Sequence, residues 1–470
     1  MAAFDIVVIG AGPGGYPAAI RAAQLGASVA LVEREQMGGT CLNWGCIPTK
    51  TLIAASELLE RVKTAGLMGL RIENASFDYA AMADRKDQVV AKLRNGVTQL
   101  LKANGVTVYN GTASFQSRNR IEVQPAAGGE ALVLNAGKTI ISTGTTSAMP
   151  GFLPRHERVV ESRAFLGLRA LPTSTLVLGA GIIGCEFACM LAQLGVKVTM
   201  VELLEDIIAV IDSDVRRELR RHMEKTLGIR ILTGVTLEEI VADDRSVRGR
   251  AGQENLEADL LLVALGRKPV TDGLKLENAG LAPNERGFLN VDAYGRTDVA
   301  TIYAVGDITG GPLLAHAATS QGLVAAENAC GRYLHKNETL VPNCIFTTPE
   351  IGTVGLGEQE AKQLGKKIKT GKYPMAALGK ALAIGEPIGF VKWVADAETE
   401  QLLGAHAIGP HATDIIAEAV VAIRAELTAS DLAHTIHAHP TIAEAWMEAA
   451  HVLTGEPVHS PPLRKQPASA

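Results

Sequence analysis

Two segments of the chain repeat one pattern of hydrophobic and polar positions. Each begins with an apolar run and continues through a glycine-rich turn and a helix-compatible stretch to a second apolar run that ends on an acidic residue. The segments span residues 4–33 and 175–202, and in both the first glycine precedes the acid by 23 positions (33 minus 10, and 202 minus 179). A strand, a turn, a helix and a second strand in this order form a parallel βαβ unit. The repeat therefore predicts an α/β fold with two such units.

The remaining segments divide the chain further. Residues 48–103 are compatible with helices, and the stretch 145–172, with its prolines and glycine, is typical of a connector. Apolar runs at 260–265 and 302–305 predict two more strands, each followed by a glycine. We predict five parts, with bounds at residues 1–147, 148–270, 271–343, 344–456 and 457–470. The fourth is a separate mixed α/β domain, and the last, which carries four prolines, is a flexible tail.

Composition and charge exclude several classes of protein. Of the 470 residues, 47% are hydrophobic and 20% are charged, which is globular composition with enough apolar residues for several cores. The net charge of −5 and the lack of a basic block argue against a nucleic-acid partner. The most apolar window, residues 176–194, contains glycines and Glu186 and predicts a buried strand and helix rather than a membrane span. The first residues lack a basic segment before the apolar run, so we expect no secretory signal.

The two glycine-rich turns have the spacing of a dinucleotide-binding turn. Its first glycine permits the tight turn, its second lets the backbone approach a pyrophosphate, and its third lets helix and strand pack closely, with the helix N-terminus aimed at the phosphates. The glycines are Gly10, Gly12 and Gly15 in the first unit and Gly179, Gly181 and Gly184 in the second. The alternative is a glycine-rich turn without a ligand, which the paired pattern disfavours.

The acid that closes each unit is suited to bind a ribose. Glu33 and Glu202 can accept hydrogen bonds from ribose hydroxyls. Glu202 is followed by Glu205 and Asp206, and three acids stand where a 2′-phosphate would need arginine, so NAD is favoured over NADP. We expect Glu205 and Asp206 themselves to be solvated loop charges.

Two of the six cysteines, Cys41 and Cys46, lie close together in a segment with loop-like composition. Four intervening residues allow a bent segment to bring their Cα atoms within the roughly 4.4–6.8 Å that a disulfide requires. Pro48 suits the first turn of a helix, whose dipole would lower the pKa of a thiolate at its N-terminus. The alternatives are two unreactive core residues or half of a zinc site, but no second pair completes such a site and we expect no metal. So few cysteines indicate a reducing, cytoplasmic compartment.

The segment 38–50 closely resembles the redox-disulfide motif of the class I pyridine nucleotide-disulfide oxidoreductases, in particular the branch that oxidises dihydrolipoyl groups. The resemblance covers nearly the whole chain. It implies FAD at the first unit, NAD at the second and a C-terminal dimerisation domain. It also implies that Cys41 is the thiol that exchanges with substrate, whereas Cys46 lies against the flavin.

Further positions match the family's cofactor-binding pattern. The resemblance implies that Lys50 lies near the flavin and pairs with Glu186, and an acid within an apolar run needs such a partner. It implies that Asp307, after Gly306, holds the ribitol end of FAD, although a plain turn aspartate is the alternative. The remaining matches are Leu314, Ala315 and His316 beside the flavin ring, and Thr143, Gly144, Gly266 and Arg267 at the crossings between the dinucleotide domains. His316 could equally be a packed histidine, and turn formation could explain the crossing residues.

A histidine before a proline near the C-terminus resembles the family's catalytic base. The resemblance makes His439 the base and Glu444 the residue that orients it. A dithiol with a pKa of about 8.5 must lose protons to react at neutral pH, so the chemistry requires a base. We expect His434 and His437 to be bystanders. In this family the base serves the cysteines of the other subunit, which implies a homodimer.

The resemblance implies oxidation of protein-bound dihydrolipoyl groups by NAD. The implied partner is a lipoyl-bearing acyltransferase or lipoyl carrier of a 2-oxo-acid dehydrogenase or of the glycine cleavage system. The alternatives are NADPH-dependent enzymes like glutathione reductase, disfavoured by Glu202, or like mercuric reductase, disfavoured because the tail lacks a cysteine pair. A non-catalytic flavin-bearing subunit is a further alternative. Trp44 and Thr49 depart from the usual pattern and loosen the substrate assignment.

Overall fold

The computed structural model describes residues 2–336 and 340–461, so residues 462–470 of the predicted flexible tail lie outside the described part.

The first 147 residues contain the strands β1 (Ala2–Ile9), β2 (Val29–Glu33), β3 (Thr107–Ser117), β4 (Arg120–Pro125), β5 (Leu132–Ile141) and β6 (Thr145–Ser147), and the helices α1 (Gly15–Gln24), α2 (Gly39–Trp44), α3 (Cys46–Thr64) and α4 (Tyr79–Ala103). The next part contains β7 (Val159–Glu161), β8 (Ser174–Leu178), β9 (Lys197–Val201), β10 (Arg230–Leu232), β11 (Leu237–Ala242), β12 (Val247–Ala251), β13 (Glu254–Ala258), β14 (Leu260–Val263) and β15 (Arg267–Pro269), with α5 (Ser162–Phe165), α6 (Ile182–Gln193) and α7 (Ser213–Lys225). The last part contains β16 (Ile302–Ala304), β17 (Asn343–Ile345), β18 (Ile351–Gly355), β19 (Ile368–Pro374), β20 (Phe390–Asp396) and β21 (Leu402–Ile408), with α8 (Ala315–Ala329), α9 (Glu358–Gln363), α10 (Gly379–Ala383), α11 (Ala412–Arg424), α12 (Ala429–Ala433) and α13 (Glu444–Thr454).

Two sheets with parallel core strands share the order of four strands and differ in the fifth, and they confirm the predicted α/β class. The first runs β3-β2-β1-β5-β16, and the second runs β10-β9-β8-β14-β7. β4 forms an antiparallel excursion between β3 and β5. Strands β2 and β14 are buried at every position, as parallel strands covered on both faces are, and this explains their unbroken apolar runs. β16 comes from the segment predicted as a central domain, and the predicted domain bounds stay predictions.

Each glycine-rich turn lies at the carboxyl end of the central strand of its sheet. Gly10 has φ +97° and Gly179 has φ +102°, a backbone conformation that favours glycine. A Cβ on Gly15 would overlap the carbonyl group of Gly10, and a Cβ on Gly184 would overlap that of Gly179. The same close approach of helix to strand therefore accounts for the repeated glycine spacing.

The C-terminal part is an antiparallel sheet of order β17-β18-β21-β20-β19 that packs against α11 and α13. Two fully buried tryptophans form its centre, with the rings of Trp393 and Trp446 4.6 Å apart. The indole N–H of Trp393 donates to the carbonyl of Trp446 at 3.0 Å, and that of Trp446 donates to the carbonyl of Ile415 at 3.0 Å. Because both buried N–H groups are satisfied, the pair fixes α13, whose first residue is Glu444.

Helix α3 lies where three parts of the chain meet. Its residues Leu52 and Ile53 belong to one hydrophobic cluster with Phe187 of α6 and Ile345 of β17. The helix that starts at Cys46 is thereby held against both the second sheet and the C-terminal sheet. In the described ranges, no helix is long and apolar enough to cross a membrane.

Glu57 on α3 predicts a pH-dependent contribution to stability. Burial raises its pKa to about 7, and the charges of Glu350 and Glu386 add to this while Arg61 opposes it. The folded chain therefore binds this proton more tightly than the unfolded chain does, so stability falls as pH rises from the ordinary pKa through 7. We expect Glu57→Gln to stabilise the protein by about 1–3 kcal/mol at pH 8 and to have little effect at pH 5, measured by thermal unfolding.

The matched control is Glu60→Gln on the same helix. Glu60 forms an ion pair with Lys63 at 3.5 Å instead of facing other carboxylates, so its replacement is not expected to stabilise the protein. Equal gains for Glu57→Gln at both pH values would contradict the assignment.

Candidate functional site

A cavity of about 590 Å³ brings the predicted site residues of the first unit together. The first glycine turn forms one end, and the two cysteines lie farther along with residues from the second unit. The predicted residues that line it are Gly10, Gly12, Glu33, Cys41, Cys46, Lys50, Thr143, Gly144, Glu186, Arg267, Gly306, Asp307, Leu314, Ala315 and His316. The predicted residues outside its lining are Gly15, Gly179, Gly181, Gly184, Glu202, Gly266, His439 and Glu444.

The cysteine pair is a disulfide held between two helices. Cys41 lies in α2 and Cys46 is the first residue of α3, with their Cα atoms 4.6 Å apart. The loop-like setting expected from the composition is wrong, because the segment forms a six-residue helix, a bend at Gly45 and a second helix. Cys46 consequently lies at a helix N-terminus, where the dipole stabilises a thiolate once the bond is broken.

The two closing glutamates make the same contacts in the two units. The carboxylate of Glu33 accepts hydrogen bonds from the backbone N–H groups of Ala11 at 2.7 Å and Glu35 at 2.8 Å. The carboxylate of Glu202 accepts from those of Ala180 at 2.6 Å and Leu204 at 2.9 Å. Each carboxylate keeps lone pairs for further donors, such as ribose hydroxyls. Burial raises the pKa of Glu33, and its two backbone hydrogen bonds oppose this shift.

The predicted pairing of Lys50 with Glu186 is present and links three parts of the fold. The ammonium of Lys50 on α3 donates to both carboxylate oxygens of Glu186 on α6, at 2.9 and 2.7 Å. The same carboxylate accepts the backbone N–H of Phe346, just after β17, at 2.9 Å. The Lys50 ammonium also lies 4.7 Å from the centroid of the Phe346 ring. Glu186 is only 3% exposed, so its charge is compensated entirely by these contacts.

Asp307 belongs to a small polar network between the domains. The hydroxyl of Thr145 donates to Asp307 at 2.6 Å, and the guanidinium of Arg267 donates to the Thr145 hydroxyl at 2.6 Å and lies 3.6 Å from Asp307. Burial lowers the pKa of Arg267, while the charges of Asp307 and Glu161 act to raise it. Asp307 is therefore more than a plain turn aspartate, since it is held in a fixed orientation at the cavity wall.

Two other predicted residues make backbone contacts beside the cavity. The hydroxyl of Thr143 donates to the carbonyl of Val270 at 2.8 Å, which ties the two crossing points together. His316 is exposed, and its Nε2 atom lies 2.8 Å from the carbonyl oxygen of Pro342.

The candidate base lies on the C-terminal part, away from the cysteines of its own chain. His439 is 78% exposed, and its Nδ1 atom is hydrogen-bonded to the carboxylate of Glu444 at 2.8 Å. Glu444 also accepts the backbone N–H of Thr441 at 2.8 Å. Burial acts to raise the pKa of Glu444, but the hydrogen bonds from Thr441 and His439 outweigh it and the net pKa is lowered. The carboxylate therefore stays ionised and can orient the imidazole.

One expectation about a polar side chain is wrong. Asp206 is not a solvated loop charge, because it pairs with Arg216 at 3.0 Å and with Arg220 at 3.4 Å. His437, expected to be a bystander of the chemistry, has a buried ring that is hydrogen-bonded to Glu418 at 2.7 Å. Both contacts join residues on different elements, which a local reading of the sequence does not reveal.

Several cavity residues were not predicted from the sequence. The guanidinium of Arg163, in α5, stacks 3.8 Å from the centroid of the Trp44 ring and pairs with Glu35 at 2.9 Å. Thr112 and Ala113 of β3 also line the cavity. The unusual tryptophan between the cysteines, Trp44, was the available clue to the contact with Arg163. Nothing in the sequence of β3 distinguishes Thr112 and Ala113.

The shape of the cavity fits a dinucleotide with a flavin. The turn and the cysteine helix approach so closely that a Cβ on Gly39 would lie 2.6 Å from the Cα of Gly12. The lining of one cavity brings together the first glycine turn, Glu33, Asp307 and Cys46. A glycine turn and a closing acid are the groups that contact the pyrophosphate and ribose of a dinucleotide, so this lining fits the adenosine half of FAD.

Comparisons with known proteins agree with this geometry. The sequence model of the pyridine nucleotide-disulphide oxidoreductase family matches residues 4–322, and that of the family's dimerisation domain matches residues 341–450. The chain is 43% identical to a dihydrolipoyl dehydrogenase of Chlamydia pneumoniae, over 98% of this chain and 99% of the relative. It is 42% identical to a dihydrolipoyl dehydrogenase of Halobacterium salinarum, over 97% of both chains.

Solved structures give the same result for the fold. The Mycobacterium tuberculosis protein LpdA superposes with a TM-score of 0.90 at 26% identity, covering 96% of this chain and 99% of that one. The HOCl-induced flavoprotein disulfide reductase RclA of Escherichia coli, as its Cu(II) complex, superposes with a TM-score of 0.88 at 30% identity, covering 96% of this chain and 100% of that one.

The buried ion pair yields a stability prediction. Lys50→Met would leave the Glu186 carboxylate buried without its cation, so we expect a loss of about 1–3 kcal/mol at pH 7 in chemical denaturation, less than a fully buried pair because Lys50 is partly exposed. Glu186→Gln on the Lys50→Met background should recover part of the loss, because it removes the uncompensated charge. Arg61→Met on the same helix is the control, since it breaks an exposed pair with Glu386 worth about 0–1 kcal/mol. Equal losses of stability for Lys50→Met and Arg61→Met would contradict the stabilising role of the pair Lys50–Glu186.

Proposed function

The chain belongs to the pyridine nucleotide-disulphide oxidoreductase family, and on that premise we propose that it oxidises protein-bound dihydrolipoyl groups to the disulfide and reduces NAD. The observation that carries the proposal is the Cys41–Cys46 disulfide in the wall of the flavin-sized cavity. Whole-chain identity of 40–43% to curated dihydrolipoyl dehydrogenases supports the substrate assignment.

The cofactors are FAD and NAD. The first glycine turn and Glu33 would hold the adenosine half of FAD, Asp307 would hold its ribitol, and Lys50 would lie beside its ring; all of these residues line the same cavity. Glu202 and the second turn hold the adenosine half of NAD. When bound, FAD supplies the two-electron connection between the cysteine pair and the nicotinamide.

The choice of NAD over NADP has two sources in the second unit. The carboxylate of Glu202 repels a 2′-phosphate at the ribose position. The two nearby arginines, Arg216 and Arg220, already pair with Asp206 and are not available to compensate that phosphate. This disfavours the NADPH-dependent alternatives that resemble glutathione reductase or mercuric reductase.

The thiol exchange consists of two displacements. A substrate thiolate attacks the sulfur of Cys41, the Cys41–Cys46 bond breaks, and Cys46 leaves as a thiolate at the N-terminus of α3. The second substrate thiolate then attacks the substrate sulfur of the mixed disulfide, which releases Cys41 as a thiolate and the substrate as a disulfide. Two electrons pass from the dithiol to the cysteine pair, and two protons leave the substrate.

His439 is the base that accepts a substrate proton, and Glu444 holds its ring. The dimerisation domain supports a homodimer. We propose that His439 of one subunit serves the cysteines of the other, because the histidine is exposed on the C-terminal part and does not line the described cavity of its own chain.

The partner class follows from the substrate. We propose a lipoyl-bearing acyltransferase of a 2-oxo-acid dehydrogenase or a lipoyl carrier of the glycine cleavage system as the source of the dithiol. A cytoplasmic location is also proposed, because the four remaining cysteines are free thiols.

Steady-state activity of the purified full-length chain tests the function. FAD-loaded enzyme should reduce NAD with dihydrolipoamide, whereas glutathione disulfide with NADPH should give little or no turnover. Higher kcat/KM for the glutathione pair would replace the proposal with the glutathione-reductase alternative. Flavin binding without either activity would favour the non-catalytic subunit.

The proposed base predicts a selective kinetic defect. His439→Gln should lower dihydrolipoamide turnover by about 10²–10⁴-fold, the range typical of lost general base catalysis. Flavin reduction by NADH requires no proton from a substrate thiol, so stopped-flow measurement should find it nearly unchanged. His434→Gln is the control, because that exposed histidine contacts only the end of α12.

Mixed dimers test whether the base acts across the interface. Co-folding a Cys41→Ser chain with a His439→Gln chain, and isolating the heterodimer by two tags, should give one intact site and about half of wild-type turnover per dimer. Heterodimers no more active than either parent homodimer would show that the two residues do not act across the interface.

A further inference from the structure

His437 lies two residues before the proposed base and is enclosed between hydrogen-bond acceptors. Its Nε2 atom lies 2.7 Å from a carboxylate oxygen of Glu418 on α11, and its Nδ1 atom lies 2.9 Å from the carbonyl oxygen of Thr435. The side chain is only 5% exposed. Both ring nitrogens therefore face protein oxygens.

These contacts define the charge state of the ring. A carbonyl oxygen has no proton to donate, and an ionised carboxylate only accepts. A neutral imidazole carries one proton, so one of the two contacts would then bring two acceptors together. Both hydrogen bonds form only when the ring is an imidazolium.

We propose that His437 is a positioning residue, held as a buried imidazolium by Glu418, that sets the location of His439 and the charge facing its partner Glu444. The inference rests on the proposed role of His439 as the base. It adds a second histidine–glutamate pair to the C-terminal part, with a task different from that of the pair His439–Glu444.

The location of His439 depends on this contact because the base lies in an irregular segment. Residues 434–443 connect α12 to α13 and belong to no helix or strand. The contact between His437 and Glu418 joins this segment to α11 through side chains. The hydroxyl of Thr441 donates to the carbonyl of Ala438 at 2.8 Å and closes the turn that carries His439.

The interaction of Glu444 with His439 depends on the charges around that carboxylate. The charged groups facing His437 are Glu418 from α11 and Glu444 from α13, while Asp431 of α12 interacts with His434. The hydrogen bond to Glu418 raises the pKa of His437, and the positive charge of His437 in turn helps to lower the pKa of Glu444. The Glu444 carboxylate thus faces the cation His437 as well as the ring of His439. With His437 charged, Glu444 attracts a proton on the His439 ring less strongly.

The sign of the pH effect follows from the raised pKa of His437. The imidazolium is present below that pKa and is lost as pH rises through it. Glu418→Gln retains the acceptor oxygen but removes the charge, so the pKa of His437 falls and the ring loses its positive charge at a lower pH than in the wild type. Without that cation, the Glu444 carboxylate attracts a proton on the His439 ring more strongly.

The test is the pH profile of flavin reduction by dihydrolipoamide in the FAD-loaded dimer. In Glu418→Gln, the acid limb should move to higher pH by up to roughly one unit, which lowers kcat/KM up to about tenfold below the limb and restores it above pH 8.5. Flavin reduction by NADH should stay at the wild-type rate. Glu448→Gln is the matched control, because it breaks another histidine–glutamate pair, with His459 at 2.7 Å, that has no contact with the base segment.

Each outcome bears on the proposal separately from the proposed function. A Glu418→Gln profile that superposes on that of the wild type, or a loss of equal size at every pH, would overturn the electrostatic role. A wild-type enzyme inactive with dihydrolipoamide would instead reject the function.

Neutron diffraction of deuterated wild-type protein at pH 7.5 needs no variant. Deuterium on both ring nitrogens of His437 supports the proposal, and deuterium on one nitrogen overturns it.

Discussion

The arrangement of the whole molecule depends on one buried carboxylate. Glu186 receives the ammonium of Lys50 from the cysteine helix and the backbone N–H of Phe346 from the start of the C-terminal part, while its own helix opens the second dinucleotide unit. A carboxylate 3% exposed costs several kcal/mol unless all its partners are present. The three parts can therefore not shift independently, because a shift would expose the carboxylate or leave it buried without a partner. Through Glu186, the disulfide, the cavity and the second dinucleotide unit keep fixed positions relative to one another.

The two dinucleotide units share the contacts of the closing glutamate and differ in the segments that follow it. Glu33 and Glu202 accept hydrogen bonds from equivalent backbone N–H groups in the two units, so each proposed ribose acceptor is already oriented. Past the glutamate, the first unit continues into the two helices that carry the cysteines. The second unit continues to Asp206, which pairs with two arginines. The two units thus share one backbone design, and the segments that follow the glutamate differ.

The sequence was sufficient wherever the physical cause is local or strongly patterned. The glycine turns and the closing acids follow from spacing and close packing. The disulfide and the partner of Lys50 were implied by the family resemblance, and the cysteine spacing and the cost of an unpaired charge agree with it. The helical setting of Cys41 could not be predicted, because a six-residue helix containing glycine and asparagine has weak local preference and is held by its surroundings. The stack of Arg163 on Trp44 and the hydrogen bond from His437 to Glu418 join elements that meet only in the folded chain. Such contacts leave no periodic trace along the sequence.

The position of Trp44 makes its fluorescence sensitive to what the cavity contains. The chain has three tryptophans, and two of them, Trp393 and Trp446, are stacked on each other inside the C-terminal core. Trp44 is in the cavity wall between the two redox cysteines and under the guanidinium of Arg163. Its indole emission overlaps the absorption of an oxidised flavin, so a flavin bound in the cavity would quench it by energy transfer. The ultraviolet fluorescence of the chain would therefore report cofactor occupancy.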